Sequence, residues 1–348
     1  AHDRAPYDTV ITHGWTLDAQ GHAMHKSAGN AVEPDKVIKH SGAEIIRLWC
    51  ASSNYFDDMR ASDEILQRVM DGYRKLRNTA RFALGNLHGF DPLVDAVPVD
   101  ELEEIDRWAL AELEVMLASV REAYEKYEFH SVLQIVNNFA TVTLSARYFD
   151  IIKDRLYTYA PKNHARRSAQ TALYQIVDAL ARILAPILVF TADEIWEHIP
   201  RGANNETEPS VHVALFPETK EQDEPELIAT WARLFAVREQ VLAELEKARA
   251  SKLIGSSLEA AVVIRPSAKD AELLRQYADQ LRYLFIVSQV ELGSESQASE
   301  TEIRRAEGSK CERCWNYSTR VGEFARYPTV CERCAAALQE IEAGEQAA

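Results

Sequence analysis

The chain has 348 residues, 47% of them hydrophobic and 27% charged, and its 39 lysines and arginines against 54 aspartates and glutamates give a formal charge of −15. Such a composition can bury sizeable cores, which excludes wholesale disorder, and the length suggests two or three domains. No apolar run reaches the roughly 18 residues of a membrane span, no basic stretch leads into an apolar one as in a secretory signal, and the acidic total disfavours a protein that coats nucleic acid by bulk charge. Ala1 in place of an initiator Met suggests a processed or excised chain.

The first sixty residues alternate short apolar runs with turns. Thr9–Thr12 reads as a strand ending at His13-Gly14, and a Gly-rich polar loop follows through Asn30. Pro34 suits the first position of a helix, where it has no N–H to lose. From Ile65 the apolar positions Val69, Gly72, Leu76, Ala80, Ala83 and Leu87 recur at helical spacing, and further helical patterns run over about 101–128, 131–149 and 166–198. Pro186 should kink the last of them. Four such helices with short connections predict an antiparallel bundle. Residues 201–210 have loop composition. Then come a helix at about 226–250, a strand at 258–264, a helix at about 268–282 and a strand at 284–292, a small α+β unit. Residues 293–301 have the composition of a flexible tether, and no internal repeat is found. The fold class is mainly α with small α+β parts.

Charge is unevenly spread. Residues 91–128 hold twelve acids and three bases, and 206–226 hold seven acids and one base. Two basic islands remain, six bases against three acids over 60–81 and seven against three over 147–182. Each is either a solvated helix face or a phosphate-binding surface.

The strongest chemical signal is C-terminal. Cys311, Cys314, Cys331 and Cys334 form two CxxC pairs separated by sixteen residues. Each pair offers two thiolates from one turn, and two facing turns close a tetrahedral shell around Zn²⁺ with no open position, hence a structural site. A segment of about 25 residues cannot build its own core, so the metal supplies most of its folding free energy. With four thiolates and one Zn²⁺ the module is near neutral, so any RNA contact relies on Arg313, Arg320 and exposed aromatics among Trp315, Tyr317 and Tyr327. Cys50, within an apolar run, reads as a buried thiol.

A second signal is the loop Gly21-His22-Ala23-Met24-His25-Lys26-Ser27-Ala28-Gly29-Asn30. A lysine between small residues can place its ammonium on a phosphate chain, although the spacing is not that of a P-loop. The strand into His13-Gly14-Trp15, then AMHKSAGNAVEPDKVI and GAEIIRLWCASSNYFDDMRASDEIL, resembles the KMSKS loop region of class I aminoacyl-tRNA synthetases. The helices that follow resemble that class's anticodon-binding bundle, and a four-cysteine ribbon beyond a small α+β unit is similar to the bacterial type of isoleucyl-tRNA synthetases. On this resemblance Ala23, Met24, His25, Lys26 and Ser27 occupy the motif Lys-Met-Ser-Lys-Ser. Lys26 would contact ATP and steady the pyrophosphate, and Ser27 would shape the loop. Ala23 replaces the first lysine and His25 the first serine, and the loss of one ammonium should weaken leaving-group stabilisation.

The resemblance implies an enzyme that joins isoleucine to tRNA(Ile) with ATP and Mg²⁺, cytoplasmic and monomeric, of which this is the C-terminal portion. Nothing in the sequence matches the HIGH motif, the first nucleotide-binding half or an editing domain, so the isolated chain should not activate isoleucine. The implied division is the end of the catalytic domain at 1–63, the anticodon-binding bundle at 64–220, an α+β junction domain at 221–300, and the zinc ribbon and tail at 301–348. Arg74, Arg77, Arg81, Arg147, Arg155, Arg166 and Arg167 are candidate phosphate contacts. A sister synthetase for valine, leucine or methionine, and a non-enzymatic zinc-ribbon RNA-binding protein, are the alternatives.

Overall fold

The computed structural model describes residues 5–202, 208–219 and 224–347; the side chains of Lys26, Glu345 and Ala347, and residues 203–207 of the expected 201–210 loop, lie outside the described residues. The chain divides into two compact units, one of residues 1–89, 112–144 and 173–221, the other of residues 90–111, 145–172 and 222–348. It is mainly helical with small sheets, as the sequence patterns predict.

In the first unit, β1 (Thr16–Leu17) pairs in parallel with β2 (Met59–Arg60). The expected strand at 9–12 does not form. Val10 and Ile11 are exposed, and no described strand offers their backbone a ladder, without which an extended segment has nowhere to place its hydrogen bonds. Gly14 is required by close approach, because a Cβ there would stand 2.3 Å from the Asp57 carbonyl oxygen. Pro34 opens α1 (Pro34–Ser41), followed by α2 (Ala43–Ser52). Ser62 caps α3 (Asp63–Asn86), its hydroxyl accepting from the Ile65 amide at 3.3 Å, and Leu76, Ala80, Ala83 and Leu87 of the expected stripe are buried.

α4 (Glu104–Glu125) leads to α5 (Phe129–Asn138), which continues through a π-helical stretch, Phe139–Phe149, into α6 (Asp150–Thr158). Helical backbone therefore runs without interruption over 129–158 where the pattern predicts 131–149. α7 (His164–Leu184) and α8 (Val189–His198) replace the single kinked helix expected over 166–198. Pro186 breaks it, since its ring and missing N–H cannot extend the ladder. Arg47 takes up the freed carbonyls, donating to Pro186 O and Ile187 O at 2.8 Å each. Glu44 accepts from the Phe190 amide at 2.9 Å at the start of α8; burial raises its carboxyl above the usual range.

The second unit packs α9 (Pro225–Ala250) through Trp231 and Phe235 against Trp108 of α4, with ring centroids 5.9 and 4.8 Å apart. Its buried polar hub is Asp106, which accepts from Tyr148 at 2.6 Å, from Ser168 and from Arg155. The sheet has the order β4-β3-β5. β3 (Ala260–Arg265) runs parallel to β4 (Gln289–Leu292) and antiparallel to β5 (Glu300–Arg305). Three expectations change here. The 268–282 helix is interrupted, as α10 (Ala271–Gln276) and α11 (Leu281–Phe285). The strand expected from 284 begins at 289, because Ile286 adopts left-handed φ (57°) and ends α11. The 293–301 tether instead carries the chain back into the sheet: Ser267 donates its amide to Ser299 Oγ at 3.1 Å, and β5 starts at Glu300. An edge strand with one solvated face has the polar composition of a linker.

Candidate metal centre and nucleic-acid interface

Residues 309–347 fold as a hairpin of β6 (Ser309–Lys310) and β7 (Tyr317–Ser318), then α12 (Glu332–Ala347). Gly308 permits the hairpin, having φ of +88° and a backbone so near Ser318 that a Cβ would stand 2.3 Å from its carbonyl carbon. The first CxxC lies in the hairpin's turn, where the Trp315 amide donates to Cys311 O (2.9 Å) and Cys311 N to Asn316 O (2.8 Å). The second begins α12, with Ala335 N donating to Cys331 O at 2.9 Å. All four cysteines are buried, surrounded by Val330 and Ala335 with Val321, Phe324, Tyr327 and Leu338 packed outside. That shell is too small to be a core by itself.

The four Sγ atoms lie within 4.8 Å of one another, and those of Cys314 and Cys331 are 3.7 Å apart. Thiolates on a tetrahedron with Zn–S of about 2.3 Å stand about 3.8 Å apart. The donor set therefore fits one Zn²⁺, with no position left for water or substrate. Bonds from Cys331 and Cys334 hold the Cys314 thiol far below its ordinary range, while the contact with Cys314 pushes Cys331 up to about 11, and contacts with Cys314 and Cys331 push Cys334 higher. A divalent cation held by Cys311, Cys314, Cys331 and Cys334 would stabilise all four as thiolates.

Trp315 directly follows the first CxxC at φ +65°, a conformation that non-glycine residues rarely adopt. The turn holds its indole 61% exposed, with Lys310 Nζ 5.4 Å from the ring centre. Tyr327 packs on the cysteine cluster, and Tyr317 is half-buried. Beside Trp315 opens a cavity of about 440 Å³, lined by Tyr157 and Asp154 of α6, Arg282 and Tyr283, and by Arg313 and Asn316 of the ribbon.

The candidate arginines separate by environment. Arg74 and Arg77 are exposed, paired with Asp71 (2.9 Å) and Glu194 (2.6 Å), and Arg81 is exposed on the same helix. Arg320 is exposed and paired with Glu323 at 2.8 Å. Arg147 lies over Phe235, 4.7 Å from the ring centre, and 3.5 Å from Glu239. Arg166 is half-buried and donates to Tyr159 O, while burial and the guanidinium groups of Arg167 and Arg313 lower its pKa. Two expectations are corrected. Arg155 and Arg167, each 12% exposed, are committed to Asp106 and Asp95, and their charge is spent inside the fold. Cys50 is also corrected: it is exposed, at the rim of an apolar cavity with Ile46, Tyr55 and Ile187.

In the first unit the loop is held by a clasp that the sequence reading missed. Asp18 accepts from the amides of Gln20 (3.0 Å) and His22 (2.8 Å) and from Asn30 Nδ2 (2.9 Å). Asn30 in turn donates to Ala23 O at 3.2 Å and accepts from His25 N at 3.0 Å. The Asn30 bond, then the backbone amides, lower the Asp18 carboxyl. The loop is tied at both ends. Lys26–Ala28 form a single 3₁₀ turn with Ala23, His25 and Ser27 exposed and Met24 half-buried, whereas the Lys26 side chain lies outside the described residues.

A family model described as the anticodon-binding domain of tRNA ligase matches residues 106–264. One for class I tRNA synthetases (I, L, M and V) matches residues 1–62, and one for a zinc finger found in FPG and IleRS matches 308–337. The isoleucine–tRNA ligase of Syntrophotalea carbinolica is 48% identical over 347 residues, covering 96% of this chain and 37% of that protein. That of Caldanaerobacter subterraneus subsp. tengcongensis is 46% identical over 350 residues, covering 97% and 37%. Among solved structures, Mycobacterium tuberculosis methionyl-tRNA synthetase in complex with methionyl-adenylate aligns with a TM-score of 0.47 at 22% identity, over 60% of this chain and 41% of that one. The chain thus spans little more than a third of the length of the curated relatives it matches. No described helix is long and apolar enough to cross a membrane.

Proposed function

The chain belongs to the isoleucyl-tRNA synthetases among the class I tRNA ligases, and from that premise we propose that it is the C-terminal, tRNA-reading portion of such an enzyme. The whole enzyme would activate isoleucine with ATP, releasing pyrophosphate, and then esterify tRNA(Ile). Within this chain residues 1–63 would end the catalytic domain, 64–220 form the anticodon-binding bundle, 221–300 a junction domain and 301–348 the zinc ribbon and tail. It would act as a cytoplasmic monomer.

The observation that carries this reading is the cavity between α6 and the ribbon. Its walls pair two exposed aromatic faces, Trp315 and Tyr157, with the guanidinium groups of Arg282 and Arg313. An unstacked base finds π-faces there, and its phosphate finds positive charge. Cys311, Cys314, Cys331 and Cys334 would hold one structural zinc, which fixes the turn that presents Trp315. Arg74, Arg77, Arg81 and Arg320 form exposed ion pairs or none, so a phosphate could take over their donors at small cost, and Arg147 and Arg166 would add partly covered positive charge. Arg155 and Arg167 would act only by shaping the fold.

At the loop, Lys26 would place its ammonium on the ATP phosphates as pyrophosphate leaves, with Ser27 shaping the approach. The Asp18–Asn30 clasp supports this role by fixing the loop's ends while leaving its tip exposed. With Ala23 in place of a second ammonium, leaving-group stabilisation falls more heavily on Lys26.

The test is binding of the zinc-loaded chain to isoleucine tRNA and to the same tRNA with an altered anticodon, across a salt series. Phosphate contacts alone fall with salt equally for both. A preference for the native anticodon at every salt concentration supports the proposal, and equal binding contradicts it.

A further inference from the structure

The two CxxC pairs share more than cysteines: residues 311–314 and 331–334 are both Cys-Glu-Arg-Cys. The two arginines occupy the same place in each turn, and the fold uses them alike. Arg313 donates to the Thr158 carbonyl oxygen, and Arg333 grips the Asp154 carboxylate with both terminal nitrogens, the longer bond being 2.9 Å. Asp154 and Thr158 are four residues apart, so they sit on one face of α6 a single turn apart. The metal-binding turns thus clamp one helix at two successive levels. Each arginine also faces inward, Arg313 toward Cys334 Sγ at 3.8 Å and Arg333 over Tyr159 and Tyr283 at 5.4 and 5.8 Å.

The two grips are not equivalent. A carbonyl at a helix end accepts from any nearby donor, but a carboxylate held by two guanidinium nitrogens sets orientation as well as distance. Arg333 and Asp154 are both largely covered, 15% and 25% exposed, so water does not replace the bond cheaply. Asp154 and Thr158 of α6 line the cavity beside Trp315 together with Arg313 to Asn316 of the first ribbon turn, which the shared cysteine shell joins to the turn of Arg333.

We infer that Asp154 is a positioning residue for RNA recognition: through Arg333 it fixes the ribbon on α6, and so sets where the Trp315 indole and the Arg313 guanidinium stand over the cavity. This rests on the reading of that cavity as an RNA site. Asp154 needs no contact with RNA itself; its negative charge would repel a phosphate were Arg333 not neutralising it. The Asp154–Arg333 pair gives the cavity its geometry and removes an unfavourable charge from its wall.

The experiment is a double-mutant cycle on the full zinc-loaded chain, with the anticodon stem-loop of isoleucine tRNA as probe and zinc per chain measured for every variant. Asp154→Asn should keep one zinc and weaken stem-loop binding roughly tenfold, while Asp154→Glu, which restores the carboxylate, recovers most of the loss. In a Trp315→Ala background, Asp154→Asn should cost little more, because its effect passes through the indole. Unchanged binding by Asp154→Asn, losses that add in full to those of Trp315→Ala, or loss of zinc from Asp154→Asn would each overturn the inference. If Trp315→Ala alone binds as the parent chain does, the reading of the cavity fails and the inference falls with it.

Discussion

The zinc ribbon and the loop at 18–30 are both short segments without a hydrophobic core of their own, and they solve that problem differently. The ribbon gathers four sulfurs that a cation can bind together. The loop ties a carboxylate and an amide twelve residues apart, Asp18 and Asn30, and leaves its tip exposed. A metal shell fixes the turns that carry its ligands, Trp315 directly after one of them, whereas a clasp fixes only the ends. On the proposed reading, a ribbon that presents Trp315 to RNA suits the first arrangement, and a loop that follows a reacting phosphate suits the second.

Removing the metal should give the largest effect. Structural zinc contributes on the order of 10 kcal/mol in small metal-folded modules. Chelation, or Cys331→Ser, should therefore abolish hydrogen-exchange protection of the Trp315 and Ala335 amides and leave that of Leu66 in α3 intact. Retained protection in the metal-free chain would mean that the ribbon holds itself. Lower pH should release the metal as well, because the ligand thiolates must accept protons.

A middle effect comes from a buried charge with neither a metal nor open solvent. Asp106→Ala strips Arg155 and Tyr148 of their acceptor, and leaving Arg155 buried and unpaired should cost about 3–5 kcal/mol in denaturant unfolding. A loss below about 1 kcal/mol would show that Arg155 finds another partner.

The clasp should give the smallest effect on stability. Asn30→Ala should cost about 1 kcal/mol of local order, speed exchange at the His22 and His25 amides, and leave the global unfolding midpoint in place. Because the Asp18 carboxyl is held below its ordinary value of 3.8, its contribution is complete above that pH and is lost as pH falls through the lower folded value. His22 amide protection in the parent chain should therefore survive at pH 4 and disappear under stronger acid. Protection lost already near pH 5 would contradict the assigned role of the Asn30 bond.

The two regions also differ in how legible they were. Four cysteines at CxxC spacing announce a metal site because ligand geometry is local. The Asp18–Asn30 clasp has no comparable spacing rule, although Asp18-Ala19-Gln20-Gly21 is a turn signal from which half of it could have been read. Most helix positions followed from apolar periodicity, and Pro34 marked a start as helix chemistry requires, but the helices expected at 166–198 and 268–282 are each two. What failed depended on distant partners. Thr9–Thr12 needs a ladder that no described strand provides, β5 is polar because only one of its faces is covered, and Arg155 and Arg167 face acids far along the chain. The repeated Cys-Glu-Arg-Cys was visible in the sequence, but its meaning required seeing both arginines reach the same helix.

The most direct test of the account is the affinity of the chain for the isoleucine anticodon stem-loop, measured zinc-loaded, after chelation, and after zinc is restored. Binding should be lost with the metal and return with it, while α3 and α7 keep their exchange protection throughout. Undiminished binding by the metal-free chain would contradict it, because the surface that grips RNA would then not be the one the four cysteines hold in place.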